Sequence, residues 1–132
     1  MAGKAADTLQ VLLVEDSPLL QDILTEMLEE LDGVVVCAKA AGESEAIEQL
    51  ASQSVDLAIV DLELSEGSGL GVLRCLRDAP ERFGAPHAIV FSSYGHLAVK
   101  ARCAALGAAA FFDKAVGMDA LIDYVKALRP QA

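Results

Sequence analysis

The chain has 132 residues, enough for one domain that buries roughly two-thirds of its unfolded surface on folding. Hydrophobic residues make up 54% of it and the formal net charge is −10, a composition that excludes a disordered chain and opposes direct nucleic-acid binding, for which phosphates require a basic stripe. No apolar run approaches the ~18 residues of a membrane span and Met1 to Gln10 lacks a secretory core, so the expectation is a cytoplasmic protein without membrane contact. Cys37, Cys75 and Cys103 are odd in number and sit in apolar segments, which fits small hydrophobes better than a disulfide framework or a zinc site. Charge is uneven: residues 1–66 carry fifteen acidic and two basic side chains, residues 67–132 five and eight.

Strands and helices alternate along the chain. Val11-Leu12-Leu13-Val14 is a short apolar run of the kind covered on both faces in a parallel sheet, and it ends at Glu15-Asp16. Ser17 and Pro18 provide helix-start chemistry. Leu19, Leu20, Ile23, Leu24, Met27, Leu28 and Leu31 follow at helical spacing, with Asp22, Glu26, Glu29 and Glu30 opposite and a stop near Gly33. Val34 to Cys37 reads as the second strand, Glu43 to Ala51 as a helix with Ala46, Ile47 and Leu50 inward, and Leu57 to Val60 as the third strand, ending at Asp61. The loop Ser65-Glu66-Gly67-Ser68-Gly69 leads to a helix through Leu70, Leu73 and Leu76, and Pro80 to Pro86 is read as a connecting loop. Ala88 to Phe91 is the fourth strand, ending at Ser92-Ser93; Leu97 to Leu106 is a helix; Ala109 to Phe112 is the fifth strand, ending at Asp113-Lys114; Met118 to Leu128 marks the last helix. Five βα units predict an α/β fold, a doubly wound five-stranded parallel sheet with helices on both faces. Residues 1–8 are expected to form a flexible arm, 9–129 the domain and 130–132 a tail.

Ligands in such folds bind outside the carboxyl ends of the strands. Glu15, Asp16, Asp61, Ser92 and Lys114 all stand there. Two carboxylates 4 Å apart repel by about 4 kcal/mol at an effective dielectric near 20, so three of them in one crevice call for a cation, and a hard divalent ion such as Mg²⁺ suits oxygen ligands. A metal, a carboxylate nucleophile, a lysine and a hydroxyl are the parts needed to move a phosphoryl group onto an aspartate, with Asp61 as nucleophile. Singly, these residues have plainer readings: Glu15-Asp16 as helix-capping acids, Asp61 as a turn residue, Lys114 as a solvated charge, Ser92 as a local hydrogen-bonder and Phe111 as core. Their recurrence at successive strand ends favours the joint reading. His87 and His96 show no spacing that suggests a metal pair.

The segments Leu12-Leu13-Val14-Glu15-Asp16-Ser17-Pro18, Leu57 to Leu62, Ile89-Val90-Phe91-Ser92 and Phe111-Phe112-Asp113-Lys114 resemble, in order and separation, the receiver domain of two-component response regulators, chemotaxis-regulator-like and of flavodoxin-like (βα)5 fold. The resemblance implies that Glu15 and Asp16 are the acidic metal pair, that Asp61 is the phosphoacceptor and a metal ligand, and that the backbone carbonyl of Glu63 is a further contact to Mg²⁺. It also implies that Ser92 is the switch hydroxyl, Lys114 the phosphate-contacting lysine and Phe111 the switch aromatic. A sensor histidine kinase or phosphotransfer protein would supply the phosphoryl group, and a downstream protein target would read the result. The chain would be a monomer or weak dimer, meeting partners through the face made by helix 97–106, strand 109–112 and the last helix. It would modify itself rather than act as a turnover enzyme.

Four departures stand out from the family pattern. Ala115 follows the lysine where Pro in a cis bond is usual; Ser65 stands where Pro is common; Ser93 replaces a small Ala; and Glu63 and Tyr94 fill the variable positions that govern water access, bulky Tyr94 being expected to slow hydrolysis. Two alternatives are a small phosphatase of the haloacid-dehalogenase type, against which the position of the acidic pair before Asp61 argues, and an excised receiver of a DNA-binding transcriptional regulator. A degenerate receiver is disfavoured by the retained Asp61, Ser92 and Lys114.

Overall fold

The structure is a computed structural model that describes residues 8–130. Five parallel strands, β1 (Leu9–Val14), β2 (Val34–Ala40), β3 (Leu57–Val60), β4 (His87–Ser92) and β5 (Phe111–Asp113), form one sheet in the order β2-β1-β3-β4-β5. The helices are α1 (Pro18–Glu29), α2 (Glu43–Ser52), α3 (Gly69–Asp78), α4 (Pro80–Phe83), α5 (Leu97–Ala105) and α6 (Met118–Leu128). This is the doubly wound fold expected from the alternation of apolar runs and helical periodicity.

Alternation along each strand builds two cores. Leu12, Val14, Ala58, Val60, Ala88 and Val90 face α2, α3 and α5 through Ala46, Leu50, Val72, Leu73, Leu76 and Cys103. Val11, Leu13, Leu57, Ile59, Ile89 and Phe91 face α1 and α6 through Leu24, Leu28, Leu121 and Val125. The chain crosses to one face of the sheet after β1 and to the other after β2, so the ends of β1 and β3 flank the point where winding reverses.

Several boundaries differ from the sequence reading, each for a local reason. The Pro80 to Pro86 connection contains one helical turn, α4, started by Pro80 at its first position and ended by Gly84 in the left-handed region (φ 75°). β2 runs three residues beyond Cys37, to Ala40, after a register shift against β1 between Val11 and Leu12. The regular part of β5 begins at Phe111, although the Ala109 amide already donates to Ala88 O at 2.8 Å. On α1, Leu19 is 70% and Ile23 42% exposed, because the buried face is centred on Leu24 and Leu28 and these two positions lie off it.

Thr8, the last residue of the expected arm, accepts a hydrogen bond from Gln10 Nε2 at 2.7 Å; residues 1–7 of that arm and residues 131–132 of the tail lie outside the described residues. Cys103 is buried, Cys37 and Cys75 half-buried, and all three are free thiols. Among the described residues no helix is long and apolar enough to cross a membrane.

Candidate functional site

The site is built at the ends of β1 and β3, the two central strands on either side of the winding reversal. Val14 pairs with Val60 in the parallel register, so Glu15 and Asp61 leave the sheet side by side, and the Asp61 amide donates to Val14 O at 2.9 Å. Ser17 caps α1, its hydroxyl accepting the Leu20 amide at 3.3 Å, and its own amide donates to Glu15 Oε2 at 3.0 Å. The start of the helix thus fixes the Glu15 side chain as well as the turn that carries Asp16.

One carboxylate oxygen from each of Glu15, Asp16 and Asp61 lies within 4.8 Å of the others. Glu15 and Asp61 are buried, 3% and 4% exposed. Lys114, arriving directly after β5, closes the group: its Nζ donates to Asp61 Oδ2 at 2.7 Å and pairs with Glu15 Oε1 at 2.8 Å. Three carboxylates against one ammonium leave the pocket strongly negative, and the all-oxygen donor set is the kind a hard divalent cation takes.

The protonation of these groups follows from burial and pairing. Burial pushes the Glu15 carboxyl above the ordinary carboxylate value, and the charge on Asp61 pushes the same way; the hydrogen bonds from Lys114 and Ser17 pull it down without prevailing. For Lys114, burial acts to lower the pKa, but the hydrogen bonds and charges of Asp61 and Glu15 outweigh it and hold the ammonium above its usual value. The lysine is therefore a permanent cation in this corner at neutral pH.

The remaining residues singled out in the sequence are placed around this group. Glu63 is exposed, its amide 3.4 Å from Asp61 Oδ1, and it forms an antiparallel bridge with Ser68 that folds the loop back on itself. Ser92 is fully buried at the end of β4, where its carbonyl accepts the Lys114 amide at 3.2 Å and its Oγ accepts the Tyr94 amide at 3.2 Å. Phe111 is half-buried against the core beneath α2, α3 and α5, with Lys100 Nζ 5.5 Å from its ring centroid. Tyr94 is 47% exposed, its ring meeting His96 edge-on at 5.3 Å. His87 bonds Tyr124 at 2.6 Å, and neither histidine joins the acidic group.

The loop after Lys114 turns without the proline that usually follows the lysine. Every peptide bond among the described residues is trans, and the turn is closed by Asp113, whose Oδ1 accepts the Ala115 amide at 2.7 Å and whose carbonyl accepts the Gly117 amide at 2.6 Å. At the other side, Gly69 opens α3 against Asp61: a Cβ at position 69 would lie 2.1 Å from the Asp61 carbonyl oxygen, so only glycine allows this approach.

A parallel sheet of this order, with acidic groups at the ends of β1 and β3, a buried hydroxyl at the end of β4 and a lysine after β5, is the arrangement of a receiver domain. Residues 11–126 match the family described as response regulator receiver domain, and the chain belongs to that family. It is 30% identical over 93 residues to the sensory transduction protein LytR of Staphylococcus haemolyticus, covering 70% of this chain and 35% of that protein. It is 35% identical over 87 residues to protein-glutamate methylesterase/protein-glutamine glutaminase 5 of Myxococcus xanthus, covering 66% of this chain and 24% of that one. The chain thus spans about a third or less of these relatives. Among solved structures, the signal receiver domain of the putative response regulator NarL from Mycobacterium tuberculosis superposes with a TM-score of 0.82 at 20% identity, covering 92% of this chain and 96% of that one.

Proposed function

We propose that Asp61 is the phosphoacceptor of this receiver domain, taking its phosphoryl group from a phosphohistidine on a sensor histidine kinase or phosphotransfer protein. The observation that carries the reading is the bridge of Lys114 Nζ to both Asp61 Oδ2 and Glu15 Oε1, which puts a fixed cation beside a buried carboxylate at the sheet edge. An Asp61 carboxylate oxygen attacks phosphorus, the phosphorus–nitrogen bond breaks, and the imidazole leaves and takes up a proton. Lys114 then moves its hydrogen bond from the carboxylate to a phosphoryl oxygen. The Ser92 hydroxyl, whose oxygen already accepts the Tyr94 amide, keeps its proton for another phosphoryl oxygen. Glu15, Asp16, Asp61 and the Glu63 carbonyl would hold Mg²⁺, which supplies neutralisation of the charge on those oxygens.

The added charge draws Ser92 and the β4–α5 loop toward Asp61, and Phe111 follows into the space this frees. The result is read at the surface of α5, β5 and α6 by a downstream protein, or by a second copy in a weak dimer. The domain, 9–129, works in the cytoplasm as a switch that modifies itself and makes no contact with nucleic acid of its own. Leu19 and Ile23, exposed on α1 and interspersed with the acids Asp22 and Glu26, supply an apolar landing place for the phosphodonor.

The test is incubation with acetyl phosphate and Mg²⁺ followed by intact mass measurement. An acid-stable, base-labile phosphoryl adduct is expected on the wild type and none on Asp61→Asn; an adduct that persists in the variant, or none on the wild type, overturns the assignment.

A further inference from the structure

The loop from Asp61 to Ser68 carries both the proposed nucleophile and the Glu63 carbonyl, and it lacks the proline common at position 65. What holds it is a pair of carboxylates crossed between two helix starts. Glu66, in the loop, serves the first turn of α2: its Oε1 accepts the Ser44 amide at 2.9 Å, its Oε2 accepts the Ser44 hydroxyl at 3.1 Å, and its carbonyl accepts the Glu43 amide at 2.9 Å. Glu43, in α2, returns the bond to the start of α3, its Oε1 accepting the Ser68 amide at 2.9 Å. Each carboxylate faces the positive end of the other element, the placement the helix dipole favours.

Glycines make room for both acids. A Cβ at Gly42 would stand 2.8 Å from Glu66 Oε1; one at Gly67 would stand 2.4 Å from Glu43 Cβ, and one at Gly71 2.4 Å from the Glu43 carboxylate. Gly67 also needs its positive φ of 71°. The same loop is stitched to the site: Glu63 bridges Ser68, the Gly69 amide donates to Leu62 O at 3.0 Å, and Gly69 abuts the Asp61 carbonyl.

We infer that Glu43 and Glu66 are positioning residues for the Asp61 reaction, fixing through Ser68 and Gly69 the loop on which Asp61 and the Glu63 carbonyl are presented. The inference rests on the phosphoacceptor reading above and adds to it a brace from α2, an element that contributes no group to the pocket. Neither glutamate touches the reacting atoms.

Calorimetric titration with Mg²⁺, alongside thermal unfolding in EDTA, tests this on the full chain. Glu66→Ala and Gly71→Ala are expected to bind Mg²⁺ about tenfold more weakly, the low end of what outer-shell changes cost a metal site. Glu66→Gln, which keeps an acceptor for the Ser44 amide, should stay within about twofold of wild type on the same outer-shell scale. Gly71→Ala guards against a purely structural effect, since alanine favours the helix while its Cβ displaces the Glu43 carboxylate. Wild-type affinity in both folded variants overturns the inference and leaves the phosphoacceptor reading standing; a wild-type chain that takes up neither Mg²⁺ nor phosphoryl group overturns both.

Discussion

The carboxyl edge of the sheet has two unequal sides. Where β1 and β3 end, Glu15 and Asp61 are buried, tied to one ammonium and backed by a loop pinned to two helix starts. Where β4 and β5 end, α5 begins after His96, which offers it no side-chain cap, buries Cys103 alone within its length and leaves Leu97 85% exposed, while the three residues of β5 are only half-buried. The first side is held by buried ion pairs and hydrogen bonds; beyond the buried Ser92, the second has less packing to lose by moving. A switch needs this inequality, because charge created at a yielding site would be absorbed there, whereas charge created at a stiff one must be accommodated by its softer neighbour.

Removing the cation from the stiff side has the largest expected effect. Lys114→Met leaves Glu15 and Asp61 buried without a counter-charge and should cost about 2–3 kcal/mol at pH 8. Glu15 is already held above its unfolded value of 4.5, so the folded variant takes up a proton more readily than the unfolded chain and recovers stability as pH falls. Urea unfolding should show a smaller loss at pH 5 than at pH 8 by the same linkage; equal losses at both pH values would mean the bridge is not what stiffens this corner.

Asp16→Asn acts in the opposite direction. Asp16 has a carboxylate oxygen within 4.8 Å of one on Glu15 and one on Asp61, and relief of that repulsion should make the variant melt about 2–4 °C above wild type in EDTA. It should also lose most of the gain wild type shows on adding Mg²⁺. A lower melting temperature in EDTA would show that the pocket is not strained by like charge.

The smallest effect on stability belongs to the soft side. Tyr94→Ala removes a half-exposed ring that meets His96, and unfolding should shift by about 0.5 kcal/mol or less. The lifetime of the phosphoryl group should nonetheless shorten a few-fold, measured by the decay of the adduct, as water gains access. An unchanged or longer lifetime removes Tyr94 from that role.

Much of this inequality could be read in the chain. Four-residue apolar runs ending in acids, a serine and a lysine marked the strands and their order along the chain, because strands covered on both faces carry no alternation to obscure them. The gathering of Glu15, Asp61 and Lys114 followed from the rule that strand ends share one edge. The crossed bonds of Glu43 and Glu66 were not legible. These residues are twenty-three positions apart and each looks like an ordinary acid at a helix start or in a glycine-rich loop; only the glycines at 67, 69 and 71, too many for a simple turn, hinted at close approach. The α1 face was misjudged at Leu19 and Ile23 because helical periodicity shows which residues are apolar, not how wide a stripe the sheet can cover. The turn of helix at Pro80 was hidden by its length, a single turn giving no period to detect.

The register shift in β2 bears on the outer border of the sheet. Val36 presents its amide outward there, and the Glu29 carboxylate from α1 takes it at 2.9 Å, while the displaced pairing next to it twists the strand and Lys39 adds a charge. The opposite border, three residues long, offers too short a template to extend. Both margins are thus poor templates for a foreign strand, which leaves side chains rather than unpaired backbone as the groups through which this sheet meets other molecules.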